Sequence, residues 1–190
     1  MTKKELRKIY REKREALTPL QILKMDDLLL IQFQRLAFED DVHILLNYFP
    51  IEQRVEIDTH LFSRYLMHSI PGLHVAYPKI DFKTSTMHPM LVDDKTAFED
   101  NIYSISEPVD ARPVDAEDLD IVFVPLLAFD KHGYRVGYGK GFYDRFLKQC
   151  RNNVVTIGFS YFEAVDKIDD TNQFDVPLNF CITPQKLYEF

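Results

Sequence analysis

Tryptophan is absent from this chain of 190 residues, glycine occurs six times and cysteine only twice. The two cysteines, Cys150 and Cys181, form no CxxC pair and have no histidine cluster beside them, so a zinc site is not expected. They read as reduced core thiols of a reducing compartment. No apolar run approaches the length of a membrane span, and the opening MTKKELRKIYREKREAL is too charged for a secretory signal. Its glutamates argue against a transit peptide as well. A cytoplasmic protein with no membrane partner is the expectation. Basic charge is also short: 23 Lys and Arg against 30 Asp and Glu give a net charge of -7 and a pI near 5.3. A duplex-binding protein presents a net basic face, which excludes nucleic acid as the main partner. The cations that do occur are uneven. Eight of the 23 fall in the first 24 positions, which marks the opening helix as a local anion contact.

What is abundant is apolar mass. Hydrophobic residues make up 46%, including fifteen Phe and ten Tyr, enough to build a core without metal or disulfide staples. Leu6, Ile9, Tyr10 and Leu17 recur at helical spacing and predict a helix over 3–16. Thr18-Pro19 is a restart signal for a second helix to about Leu36, whose Leu28–Ile31 run suggests deep burial. Strands are expected at 43–49, 74–77 (halted by Pro78), 121–124, 154–159 and near 180–183. Thr59 is the expected cap of a helix through Met67, and a further helix covers 142–149. The region 79–116 reads as a mix of short strands and loops, and the tail from Phe162 as mostly irregular. Strands alternating with helices predict an α/β fold: a single three-layer domain over 1–190 with a mostly parallel sheet flanked by helices.

Four of the six glycines lie between 133 and 141, in VPLLAFDKHGYRVGYGKGFYDRFL (124–147). Gly137, Gly139 and Gly141 alternate just before a helical pattern. Without Cβ atoms, such a loop brings backbone N–H groups close to a ligand, and a helix start adds donors. Arg135 and Lys140 add positive charge, so an anion such as phosphate is favoured. The alternative is a turn that merely joins strand to helix. The spacing fits neither the dinucleotide fingerprint, which needs glycine where Phe142 stands, nor the P-loop. Asp144 is either a dipole-favouring carboxylate or a magnesium ligand beside phosphate.

This run resembles the signature of the 5-formyltetrahydrofolate cyclo-ligase (methenyltetrahydrofolate synthetase) family, through Pro125, Ala128, Phe129, Asp130, Gly133, Arg135, Gly137, Gly139, Gly141, Tyr143, Asp144 and Arg145. Other landmarks follow in the family's order: Lys3, Leu6 and Arg7; EIDT at 56–59; Tyr77-Pro78-Lys79; ISEP at 105–108; and Asp175 in FDVPL. The resemblance spans nearly the whole chain. It implies that Lys3, Lys4 and Arg7, with Arg135, Gly137, Tyr138, Gly139, Lys140, Gly141, Phe142, Tyr143 and Asp144, bind ATP. Arg135, Lys140 and Tyr143 would be the catalytic residues. Ile51, Glu56, Tyr138 and Phe142 would hold the folate, and Asp144 and Asp175 would hold Mg²⁺. The implied reaction phosphorylates the formyl oxygen of 5-formyltetrahydrofolate from ATP; attack by N10 then releases phosphate and leaves 5,10-methenyltetrahydrofolate.

The sequence departs from the family at Phe142, where tyrosine is common, at Glu163–Ala164, where glutamine is frequent, and at Asp169–Asp170, where proline is usual. Each residue also has a plainer reading. Lys3, Arg7 and Glu56 suit a solvated surface, Asp175 and His132 suit turns, and His43 suits a satisfied buried strand histidine. A monomer is expected, with an oligomer the alternative. Competing functions are a phosphosugar isomerase-like enzyme, needing neither ATP nor Mg²⁺, and a non-catalytic nucleotide- or folate-binding protein.

Overall fold

The computed structural model describes residues 1–38, 41–101 and 105–190. In chain order the elements are α1 (Lys3–Glu15), α2 (Pro19–Phe33), β1 (Ile44–Leu46), α3 (His60–Ser69), β2 (His74–Asp81), β3 (Thr86–Val92), β4 (Ala97–Asp100), β5 (Ser106–Val109) and β6 (Arg112–Pro113). There follow β7 (Ile121–Val124), β8 (Ala128–Phe129), β9 (Arg135–Val136), α4 (Phe142–Leu147), β10 (Val155–Phe159), β11 (Phe180–Ile182) and β12 (Leu187–Glu189). Eight strands form one sheet in the order β12-β11-β10-β7-β1-β2-β3-β6. From β11 to β2 the pairing is parallel. Antiparallel strands close both edges, β12 on one side and β3 with β6 on the other. The α/β fold with a mostly parallel sheet is as the sequence predicts.

Side-chain alternation divides the core between the two faces of this sheet. Ile121 and Phe123 of β7, with Leu45, Ile157 and Phe159, pack under α2 and α3 against Leu29, Phe33 and Phe62. Val122 and Val124, with Leu46, Ala76 and Cys181, pack on the other face against Phe146 and Leu147 of α4. Three layers result. α1 lies apart from both clusters: Leu6 and Tyr10 pack on Leu127, Ala128, Val136 and Ile168, next to the small β8–β9 hairpin. Gly158, in β10, is required by close approach. A Cβ there would stand 2.5 Å from a Leu126 methyl and 2.7 Å from a Leu178 methyl.

Capping explains the helix starts. Thr2 with Glu5, and Thr18 with Gln21, form reciprocal capping boxes ahead of α1 and α2. Several expectations are corrected. Thr59 gives no cap bond to α3; its hydroxyl donates to the Tyr48 carbonyl, and Asp58 accepts from the His60 N–H. α2 stops at Phe33, and of the Leu28–Ile31 run only Leu29 is buried, because a surface helix turns one stripe inward. His43 is exposed, and α4 ends at Leu147. Cys181 is buried, whereas Cys150 is only half-buried. Pro78 does not halt its strand. It faces Pro89 across the antiparallel β2–β3 pair, and β1 has ended by Ala76, so no ladder bond needs its missing N–H. The tail also holds an unexpected edge strand, β12.

Candidate active site

Parallel strands of α/β sheets gather ligand sites at their carboxyl ends. Here β1, β7 and β10 end at Leu46, Val124 and Phe159, and the segments that follow them meet α1. After β7 the chain runs through the β8–β9 hairpin into the loop Gly137–Gly141. Gly139 and Gly141 have φ of +90° and +68°, a region that favours glycine. The Arg7 guanidinium occupies the space beside Gly139, 3.3 Å from where a Cβ would be. Arg7 Nε also donates to the Gly137 carbonyl at 2.9 Å. α1 and the loop are therefore joined as the sequence landmarks imply. The helix after the loop is only six residues long, so its dipole adds little, and the anion-favouring charge comes from side chains.

Those side chains are unequally free. Lys4 and Lys140 are exposed and have no ion pair among the described residues. Lys3 Nζ instead lies 2.5 Å from both carboxylate oxygens of Asp175. Arg135 is 7% exposed; its guanidinium donates to Asp144 Oδ1 at 3.0 Å and to the Val176 carbonyl. The Val176 N–H donates to the same Asp144 oxygen at 3.2 Å, which ties the irregular segment around Asp175 to α4. Burial lowers the Arg135 pKa, while Asp144 and Asp175 raise it. The two carboxylates thus face one guanidinium, and Asp144 Oδ2 has no hydrogen bond among the described residues.

On the other side of the loop, the Tyr138 hydroxyl donates to Glu56 Oε1. Glu56 Oε2 accepts the Ile51 N–H at 2.7 Å, so a carboxylate on a short loop is held by both oxygens. A carboxylate has about four lone-pair sites, which leaves each oxygen one more donor to accept. Burial raises the Glu56 pKa; the bonds from Tyr138 and Ile51, then Arg14 and Arg54, oppose it. The Tyr138 phenol is pushed up by burial and by Glu56, and keeps its proton. Arg54 sits over the Tyr138 ring at 4.6 Å. The Tyr143 hydroxyl is buried without a hydrogen-bond partner among the described residues, in the field of both Glu56 and Arg135. Phe142 packs edge-on to Phe82 at 5.6 Å, beneath the Arg145 guanidinium. Ile51 is buried and offers its backbone to Glu56.

The predicted residues thus fall into two adjoining groups, with Tyr138 between them. Sequence reasoning missed Arg14 and Arg54. Arg14 was within reach of it: positions 3, 7 and 14 share one helical face. Two clefts lie elsewhere. One, of about 410 Å³, is at the opposite sheet edge beside Asp120 and Arg151. The other, of about 650 Å³, is between α3 and the β2–β3 hairpin.

A cationic glycine loop and an anchored carboxylate lie together at the carboxyl edge of the parallel sheet of an α/β fold. The family model described as the 5-formyltetrahydrofolate cyclo-ligase family matches residues 1–184. The 5-formyltetrahydrofolate cyclo-ligase of Mycoplasma pneumoniae is 29% identical, over 97% of this chain and 100% of its own. That of Escherichia coli K12 is 28% identical, over 96% and 100%. Among solved structures, 5,10-methenyltetrahydrofolate synthetase of Aquifex aeolicus superposes with a TM-score of 0.81 at 27% identity, covering 100% of this chain and 93% of that one. The enzyme of that name from Mycoplasma pneumoniae gives 0.74 at 25% identity, over 96% and 98%. The chain belongs to the 5-formyltetrahydrofolate cyclo-ligase family.

Proposed function

We propose that this protein is an ATP-dependent 5-formyltetrahydrofolate cyclo-ligase, working as one domain over 1–190 and as a monomer in the cytoplasm. It converts 5-formyltetrahydrofolate and ATP to 5,10-methenyltetrahydrofolate, ADP and phosphate. The observation that carries this is the double role of Tyr138. It belongs to the glycine loop that Arg7 grips, and its hydroxyl is bonded to Glu56. A phosphate-binding loop and a carboxylate for a second ligand therefore adjoin.

The division of labour follows from the side chains. Lys3, Lys4, Arg7 and Lys140, with the loop N–H groups, take the triphosphate. Glu56 accepts two N–H donors from the aminopyrimidine edge of the pterin, using the lone pair left on each oxygen, with Ile51 and Phe142 along the ring. Tyr143 offers its buried hydroxyl between the two ligands. Arg135 holds Asp144 and the Val176 backbone in place and contributes positive charge behind the phosphates. Asp144 and Asp175 suit a magnesium ion, which takes one or two carboxylates plus phosphate oxygens and would neutralise phosphate charge when bound. Catalysis on this reading is placement and charge neutralisation; the chain supplies no covalent nucleophile.

The test mixes protein, ATP, Mg²⁺ and 5-formyltetrahydrofolate and follows methenyl absorbance together with ADP. Both are expected to appear in equal amounts, to stop with EDTA and to resume with added Mg²⁺. A phosphosugar isomerase would form neither product, and a binding module would bind folate or nucleotide without releasing ADP.

A further inference from the structure

Arg14, in the last turn of α1, is 2% exposed. Burying a guanidinium is costly unless a carboxylate pairs with it, and none does so among the described residues. Nη2 donates to the Leu126 carbonyl at 2.7 Å, Nη1 reaches the Tyr138 hydroxyl at 3.4 Å, and the buried Nε has no partner among the described residues. A role confined to packing is poorly served by such a residue, because an apolar side chain of similar volume is often neutral or stabilising there.

The directions of the bonds point to the site. The Tyr138 oxygen accepts from Arg14 while its proton goes to Glu56, and each bond in such a chain polarises the next. At the other end, the Leu126 carbonyl is fixed just beyond β7, where the Leu127 N–H is bonded to Val136 across the hairpin. We propose that Arg14 is a positioning residue for the folate: seated on Leu126, it holds the Tyr138 hydroxyl on Glu56 and so sets the carboxylate that takes the pterin edge. This rests on the reading of Glu56 and Tyr138 given above.

Glu56 is faced by Arg14 from α1, by Arg54 from the 3-10 turn Glu52–Arg54, by Tyr138 from the loop and by the Ile51 N–H. Tyr48, after β1, and Tyr143 of α4 also feel its charge. Burial raises its titration and the two arginines lower it, so loss of Arg14 moves that titration to higher pH.

The test is steady-state kinetics of Arg14→Met, Arg14→Lys, Tyr138→Phe and Glu56→Gln, with melting curves as a folding control. In Arg14→Met the KM for 5-formyltetrahydrofolate is expected to rise roughly tenfold, with kcat and the KM for ATP within about twofold. The acid limb of kcat/KM for the folate moves to higher pH. Arg14→Lys keeps the cation, so the limb stays. Its KM still rises, because one ammonium cannot hold Leu126 and Tyr138 together. If Arg14→Met does not fold, Arg14→Lys decides alone. Folded Arg14 variants with the wild-type folate KM, beside a raised KM in Glu56→Gln and Tyr138→Phe, overturn the role of Arg14 and leave the folate site standing. An unchanged KM in Glu56→Gln and Tyr138→Phe overturns the folate site itself, and this inference with it.

Discussion

Arg135 is the residue at which the fold and the proposed site meet most directly. The family resemblance makes it a phosphate ligand, and the structure buries its guanidinium against Asp144 and the Val176 carbonyl. Arg135→Ala leaves Asp144 with an unpaired charge beside a half-closed interior. We expect a loss of about 2–4 kcal/mol, discounted from full burial because Asp144 is 30% exposed. Urea unfolding would measure it, and ATP turnover would fall in the same variant. Arg135→Lys should not restore either property, since an ammonium cannot span both acceptors. A variant of unchanged stability and reduced turnover would instead place the guanidinium in direct contact with phosphate. At this scale the sequence was informative where the backbone itself is constrained. The left-handed Gly139 and Gly141 and the surrounding signature were readable. Arg14 shares a helical face with Lys3 and Arg7, but it was not picked out, because arginine at a helical position is ordinarily solvated and its burial on Leu126 is a tertiary fact.

The elements show where local chemistry suffices and where it fails. Apolar spacing made α1 legible and the Thr18-Pro19 signal made the start of α2 legible; in the structure both starts carry capping boxes. β2 was shortened wrongly at Pro78, because the rule against proline in strands depends on which neighbours need the N–H, and that is a tertiary fact. β12 was missed for a related reason: its three residues gain their meaning only from pairing with β11. α2 also supplies a pH-dependent contact. Asp26 accepts a hydrogen bond from the Tyr161 hydroxyl at 2.9 Å, and burial, with Asp58 and Asp27 nearby, pushes its carboxyl up from 3.8 to about 6. A carboxyl whose folded value is raised favours folding while protonated. Its contribution is full below about pH 4 and is lost as pH rises through 6. Asp26→Asn keeps an acceptor for Tyr161 and cannot ionise. Its melting temperature should match the wild type near pH 4 and exceed it at pH 8. Parallel melting curves at all pH values would rule out this linkage.

For the whole molecule, the alternation of strands with helices along the chain already implied a sheet flanked by helices, and apolar clusters do cover it on both faces. What alternation could not convey is which strand lies next to which, because adjacency follows from crossovers that carry no local mark. The larger cluster centres on Phe33, whose ring contacts those of Phe62, Tyr65, Phe123 and Phe159. Phe33→Ala is expected to cost about 3–5 kcal/mol in urea unfolding. Because this cluster lies under α2 and α3, the remaining folded fraction should keep its wild-type KM for both substrates. A selective rise in one KM would show that the aromatic layer communicates with the carboxyl edge.

Gly158 gives the sheet an influence on chemistry that its position would not suggest. Its bare α-carbon lets Leu126 and Leu178 settle onto β10. Leu126 in turn presents the carbonyl that seats Arg14, and Leu178 donates its N–H to Gly133 in the hairpin that leads into the glycine loop. The spacing of the segments around the proposed site is thus inherited from a missing methyl group in mid-strand. Gly158→Ala should therefore lower the melting temperature and turnover together, because the displaced leucines carry the seat of Arg14 and the hairpin with them.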